Sequence, residues 1–272
     1  MPTASNGAEV FTGSGKVYFD RFDSNGNSTG FRFLGSAPKF AVTPAVDSDT
    51  VTDYSKKSRG TLAKIIKKQT HTIAITLDEF RPKNLALALL GSAAIFTQTG
   101  GAITAEVIAQ TAATATIPAP AAGMIIKLAN RNISNVVLKT VPSAGGAGTA
   151  MSTGDYEIED AGTGLVRILD TATIPNGTSS ITADYTAGAV TATASKTQIS
   201  VGVTPQIIGA FKLVADPVSG RANDIEVWRA EVTPSGDIGF ISEDHGSLEL
   251  SGEVLNDAAN HPNSPYYQTT ER

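Results

Sequence analysis

His71-Thr72-Ile73-Ala74-Ile75-Thr76-Leu77, followed at once by Asp78-Glu79-Phe80-Arg81-Pro82-Lys83-Asn84-Leu85-Ala86-Leu87-Ala88-Leu89-Leu90-Gly91, decides the fold class. In the first half Ile73, Ile75 and Leu77 point one way and Thr72 and Thr76 the other, the period-2 pattern of a half-buried strand. β-Branched residues suit that pleat. The second half changes period. Early acids, Pro82 near the first turn and a run of good helix formers predict a helix, with Gly91 in the left-handed position after its last turn. Leu85, Ala88 and Leu89 recur at i, i+3, i+4, so that face is expected to rest on a sheet.

The strand pattern continues on both sides. Val17 and Phe19 alternate with Lys16, Tyr18 and Asp20; Asp23-Ser24-Asn25-Gly26-Asn27 supplies a turn, and Phe31 and Phe33 resume the alternation. Residues 15–35 therefore read as a β-hairpin. Further on, 223–233 reads as one strand, 234–237 as a turn, and 238–241 and 247–255 as two more strands, with Gly252 marking a bulge. Residues 256–272, with two prolines, are expected to be an arm lying on a neighbour or unstructured.

The middle differs in composition. Only 12 of the 97 residues in 101–197 are charged, against 35 of the other 175, and none of the ten Phe falls there. Strand-like pieces at 123–128, 135–141, 155–158, 164–169 and 179–185, separated by turn signals, predict a small sandwich. Because loop closure costs little more as a loop lengthens, such a unit can be inserted in one. The expected fold is mostly β: a discontinuous two-sheet β-sandwich or barrel-like domain from 1–100 and 198–272, with one flanking α-helix, plus an inserted Ig-like or related β-sandwich domain at 101–197.

Composition bounds the function. Charged residues make up 17% of the chain, below the ~25% usual for soluble domains, which suggests surface intended for other subunits. There is no cysteine, hence no disulfide framework, thiolate zinc site or thiol nucleophile. No stretch approaches the ~18 apolar residues of a membrane span. Residues 1–7 lack the basic start and apolar run of a secretory signal, which predicts a protein made and used in a cytoplasm. A net charge of −5 argues against a duplex binder that works by neutralising phosphates.

Catalytic and ligand motifs fail on spacing. His71, His245 and His261 show no metal-ligand arrangement. Gly13-Ser14-Gly15-Lys16 lacks the earlier Gly and the following Ser or Thr of a phosphate loop, with Val10 and Val17 in those places. Asp23, Asn25 and Asn27 have the odd-position spacing of a calcium loop, but Gly26 is in the wrong slot and Leu34 falls at the twelfth position. No catalytic residue, cofactor or metal is therefore expected, and the chain reads as a non-enzyme.

One charge feature stands out. Lys56, Lys57, Arg59, Lys64, Lys67 and Lys68 place six of the 21 basic residues within thirteen positions. Three readings stay open: nucleic-acid binding, for which only Tyr54 offers a stacking ring; a solvated face; or a long loop docking on an acidic patch of another copy. The acids available for that patch are Glu243, Asp244, Glu249, Glu253 and Asp257. Complementary charge would set register and orientation more than raw affinity.

Several stretches together resemble the major tail tube proteins of siphophages. Gly15-Lys-Val-Tyr-Phe-Asp20, then Gly30-Phe-Arg-Phe-Leu-Gly35-Ser-Ala-Pro-Lys-Phe40, is similar to the family's opening hairpin and its LGxxPxF continuation. Thr70 to Leu77 and Asn84 to Gly91 are similar to the strand leading into its single helix. Gly154-Asp-Tyr-Glu-Ile-Glu159, Gly164-Leu-Val-Arg-Ile-Leu169 and Ile181-Thr-Ala-Asp-Tyr185 resemble the β-rich middle of many members. Trp228 to Gly236 and Leu248 to Leu255 resemble the closing strands. The resemblance implies a virion structural protein assembled in the host bacterial cytoplasm. Its copies would form hexameric rings stacked on a tape-measure protein, meeting tail terminator and distal tail proteins at the ends. Genomic DNA would pass through the lumen without specific binding, and no membrane is involved. The long loop implied at 45–69 would contact the next ring. The alternative is a non-catalytic adhesion or carbohydrate-binding sandwich, which calls for exposed aromatics in 101–197, where only Tyr156 and Tyr185 occur.

Overall fold

The computed structural model describes residues 11–55, 57–112, 114, 117–194, 196–243 and 245–272. In chain order its elements are β1 (Gly15–Arg21), β2 (Arg32–Phe33), β3 (Lys39–Thr52), β4 (Thr61–Leu77), α1 (Pro82–Ala88), β5 (Ser92–Ile95), β6 (Gly101–Gln110), β7 (Ile125–Lys127), β8 (Ile133–Pro142), β9 (Thr149–Ala150), β10 (Tyr156–Asp160), β11 (Leu165–Ile168), β12 (Thr178–Ala187), β13 (Thr197–Ser200), β14 (Ile207–Ala215), β15 (Asn223–Pro234), β16 (Leu248–Val254) and β17 (Tyr267–Glu271). With 51% strand and 4% helix, the protein is mostly β and sandwich-like. It divides into two compact units, one of the described residues up to Ala93 with Ile199–Arg272, the other Ala94–Gln198.

In the first unit the strands form one antiparallel sheet in the order β2-β1-β14-β15-β16-β4-β3, with β17 also pairing β15. The sheet folds over on itself. Phe40 of β3 meets Phe211 of β14 with ring centroids 6.3 Å apart, although three strands lie between them in the sheet order. Phe19, Phe211, Leu34, Ile73, Ile75, Leu77 and Leu248 are fully buried between the layers, and Ile73, Ile75 and Leu77 face inward as their alternation predicts.

Helix α1 packs on β15 and β16, but it is shorter than 78–91 and turned on its axis. Its buried positions are Asn84, Ala86, Leu87 and Ala88, so Asn84, Leu87 and Ala88 set the i, i+3, i+4 stripe, one residue before the predicted one. A polar residue hid that face. Asn84 is completely buried because Arg32 donates to its oxygen at 2.7 Å while its amide donates to the Leu34 carbonyl at 2.6 Å. The left-handed residue after the helix is Leu90 (φ 48°), not Gly91. Gly91 is required for a different reason: a Cβ there would lie 2.4 Å from the Ser200 carbonyl oxygen. Gly35 (φ 95°) has both constraints, since its Cβ would strike the Glu79 carboxylate at 2.4 Å. Glu79 is occupied accepting from the Ser36 amide at 2.9 Å, so the early acids serve the preceding turn and not the helix.

Three further expectations are corrected at the C-terminal end. Residues 238–241 form no strand; Gly239 interrupts them and Phe240 and Ile241 are exposed. Gly252 marks no bulge, because β15 and β16 pair in continuous register through it; it is glycine because a Cβ would stand 2.4 Å from the Glu231 carbonyl oxygen. Residues 256–272 are not a loose arm. β17 pairs with Asn223 to Val227 of β15, Trp228 donates to the Ser264 carbonyl at 2.7 Å, and its indole stacks on His261 at 3.8 Å.

The second unit is a small sandwich. A four-stranded sheet β6-β12-β8-β9 and a three-stranded sheet β10-β11-β7 enclose Leu128, Leu138, Val166, Ile168, Ile181 and Ala183, all fully buried. β6 lacks the alternation that marks a strand, because its pairing with β12 shifts register twice and Ala105 takes a left-handed φ of 56°. Tyr156 and Tyr185 belong to this core, at 9% and 3% exposure.

Candidate functional site

The segment 45–69, expected as a long loop, is mostly strand: β3 runs to Thr52 and β4 starts at Thr61, leaving a turn of only 53–60. The loop at 45–69 was implied by the resemblance; in the structure its polar runs Asp47-Ser-Asp-Thr50 and Lys67-Lys68 lie across a hairpin and complement each other. Asp47 lies opposite Lys68 in the register, and Asp49 meets Lys67 at 2.9 Å. Both partners of the Asp49–Lys67 pair are more than half exposed, so the contact is worth at most ~1 kcal/mol and sets register more than stability.

This hairpin outruns the sheet that supports it. β16 covers β4 only from His71 to Leu77. Among the described residues no strand other than β3 pairs with β4 before His71, and none pairs with the outer edge of β3 along its 14 residues. From 43 to 69 no described residue is buried. Nine residues of β4 (61–69) thus extend roughly 30 Å past the supported part at ~3.3 Å per residue. A two-stranded ribbon is marginal by itself in water, and this one carries apolar side chains on both faces. The pairs Val46–Gln69 and Ser48–Ile66 put Val46 and Ile66 on the face continuous with Phe40 and Val42; Asp49–Ile65 and Val51–Ala63 put Ile65 and Val51 on the other. Leu62, Ile65 and Ile66 are 66%, 54% and 59% exposed.

The turn is well ordered by local bonds. The Asp53 amide donates to the Gly60 carbonyl at 2.8 Å, and the Ser55 hydroxyl and amide donate to Oδ1 of Asp53 at 2.5 and 2.8 Å. Those two donors, the hydroxyl foremost, hold the Asp53 carboxyl below the usual carboxylate range. The Arg59 guanidinium sits 5.2 Å from the Tyr54 ring centroid, and Tyr54 is 74% exposed.

The expected basic residues and Tyr54 are therefore brought together on one hairpin: Tyr54, Lys57 and Arg59 in its turn and Lys64, Lys67 and Lys68 on β4. Lys56 lies outside the described residues. Lys68 finds Glu253 of the same chain at 3.6 Å, so Lys67 and Lys68 are paired within the chain. Lys57, Arg59 and Lys64 meet no carboxylate among the described residues. The expected acids are not one patch. Glu249 and Glu253 point outward from β16, Asp257 accepts from His261 and Asn260, and Glu243 lies in the exposed loop after β15; Asp244 is outside the described residues. Sequence reasoning missed the exposed apolar residues of the hairpin, whose signal was the recurrence of Val46, Val51, Leu62, Ile65 and Ile66 among polar neighbours.

A groove of about 680 Å³ in the first unit is lined by Phe11, Val17, Phe40 and Ile225 together with polar Ser14, Lys39 and Asn223. The described residues contain no group of three His, Asp or Glu placed to hold a metal, and no helix among them is long and apolar enough to cross a membrane. In comparison with known proteins, the family model described as "Protein of unknown function UCP028589" matches residues 10–270, and the chain belongs to that family. No curated protein matches it.

Proposed function

We propose that this member of the family is a structural subunit that assembles with copies of itself into stacked rings, the tube of a long phage tail through which DNA is delivered. The observation that carries this reading is the projecting β3–β4 hairpin, whose two edges lack partner strands among the described residues and whose apolar side chains face outward on both sides. Unpaired strand borders and exposed Ile and Leu are liabilities in a lone protein and assets in one that is completed by neighbours. A head-to-tail contact closes into a ring when its rotation allows and otherwise propagates. By the resemblance to siphophage tail tube proteins, the rings would be hexameric, would form around a tape-measure protein, and would meet terminator and distal tail proteins at the ends. An acidic balance of −5 suits a conduit, since anionic walls repel phosphate and leave DNA unbound. The protein would act in the virion tail, with no catalysis and no cofactor.

The carbohydrate-binding reading gains nothing here, because Tyr156 and Tyr185, the aromatics it needs on the surface of the second unit, are core residues. The test is sedimentation velocity of the purified chain across a wide concentration range. Concentration-dependent growth beyond a monomer supports assembly; a single monomeric species throughout refutes it.

A further inference from the structure

We infer that the pocket between β1, β2 and α1 is a binding site for a small phosphate-type oxyanion, held by Arg21, Arg32 and Lys83. This goes beyond the self-assembly reading and does not depend on it.

The pocket has a volume of about 260 Å³, below the ~300–1,000 Å³ of sites for drug-sized molecules and enough for one small ion with water. Phe19, Ala86 and Leu87 give it an apolar wall, and Thr29 and Ser92 add hydroxyls beside the three cations. Strand register brings the arginines together. Arg32 of β2 lies opposite Phe19 of β1, and Arg21, two residues on from Phe19, shares that face. Lys83 arrives from the first turn of α1. Two hydrogen bonds hold each guanidinium in place. Arg21 donates to the Gly91 carbonyl at 3.4 Å and the Thr204 hydroxyl at 3.1 Å, and Arg32 to Asn84 Oδ1 at 2.7 Å and the Lys83 carbonyl at 3.3 Å. An arginine has five N–H donors, so both keep donors over for a ligand.

No carboxylate among the described residues answers these charges. Arg21, Arg32 and Lys83 form no ion pair there. Arg81, whose charge also reaches Arg32, is paired with Glu79. Asp20 is next to Arg21 in sequence but belongs to the other face of β1, where it accepts from Ser28 and from the Thr29 and Gly30 amides at 2.9 and 2.8 Å. Burial first, and then the charges of Arg21 and Arg81, hold the Arg32 guanidinium below its ordinary value. An arginine does not shed its proton in a protein, so the repulsion persists until an anion enters. Like charges gathered against an apolar wall are poorly screened by water and cost the empty chain stability. A phosphate group relieves this best. Its oxygens match the guanidinium fork with paired hydrogen bonds, and its second negative charge meets three cations where a carboxylate brings only one.

The test is calorimetric titration of the full chain with inorganic phosphate, at constant ionic strength balanced with chloride and at a pH where phosphate is mostly dianionic. The expected result is saturable one-to-one binding. Lys83→Gln should weaken it about tenfold, the loss of one charge-assisted contact. Lys83 is exposed, so this variant keeps the fold; Arg21→Gln, checked by thermal unfolding, is the second. Lys127→Gln, which removes an exposed lysine of β7 in the other unit, should bind phosphate as the unmodified chain does. Adenosine monophosphate is titrated in parallel. Affinity equal to that of phosphate means a phosphate group carried on a larger molecule is accepted at the mouth, and loss of binding means the free ion is the ligand; either supports the site. Absence of saturable binding by both probes overturns it. So does acetate binding as tightly as phosphate, or phosphate binding undiminished in both Lys83→Gln and Arg21→Gln.

Discussion

Replacing Leu62, Ile65 and Ile66 together with Ser separates assembly from folding. These side chains are 66%, 54% and 59% exposed in the single chain, so a little over half of each is available to be covered by a neighbour. Full burial of a Leu or Ile is worth ~1.5–3 kcal/mol, which puts the coverable part near ~1–1.5 kcal/mol each and about 3–4 kcal/mol for the three. Association also immobilises side chains, and only the surplus appears as affinity; a net loss of about 3 kcal/mol per contact is the working figure. At ~1.4 kcal/mol per tenfold, the concentration needed for assembly should rise by roughly 100-fold. Folding should hardly change, because no described residue from 43 to 69 is buried and surface substitutions usually stay within about 0.5 kcal/mol. Pelleting across a dilution series gives the first quantity and a urea titration of the dispersed subunit the second. An unchanged assembly threshold in a variant of unchanged stability would refute the role given to the hairpin.

Reversing Lys57, Arg59 and Lys64 to Glu should abolish or sharply weaken assembly, whereas Lys67→Glu/Lys68→Glu should weaken it less, since those two are already paired with Asp49 and Glu253 of their own chain; light scattering in low and high salt compares the two variants. Asn84→Ala should cost ~1–3 kcal/mol in a urea titration, because it leaves the Leu34 carbonyl without the amide that serves it at a fully buried position and takes one acceptor from the Arg32 guanidinium. Gly35→Ala should cost roughly 1–3 kcal/mol through its positive φ and the Glu79 carboxylate behind it, with part recovered in Gly35→Ala/Glu79→Ala. Lys139 and the Ala105 amide hold the Asp184 carboxyl below its usual range. A depressed carboxyl contributes stability that is complete above ~3.9 and is lost as pH falls through its folded value. Asp184→Asn should accordingly flatten the decline of Tm in acid below about pH 4.

What was legible in the sequence was what alternation exposes. Ile73, Ile75 and Leu77 declared their strand and their inward face, and the 15–35 hairpin closed as its turn residues required: Asp23 accepts the Asn25 and Asn27 amides, both at 2.8 Å. What was not legible depended on contacts distant in sequence. Asn84 looked like a solvent-facing helix residue because its partners Arg32 and Leu34 lie some 50 residues away. Gly252 looked like a bulge because the Glu231 carbonyl that crowds it belongs to another strand. The basic cluster was visible as charge, but its shape was not: only the cross-strand pairing of Asp47 and Asp49 with Lys68 and Lys67 turns two polar runs into a paired ribbon. The exposed Ile241 had no signal, since an apolar residue between glycines reads the same whether it enters a core or a neighbour.

Negative-stain electron microscopy of the purified full chain at high concentration tests the central claim most directly. The account predicts rings or tubes built from this chain alone. A field of separate single-chain particles, unchanged as concentration rises, would contradict it.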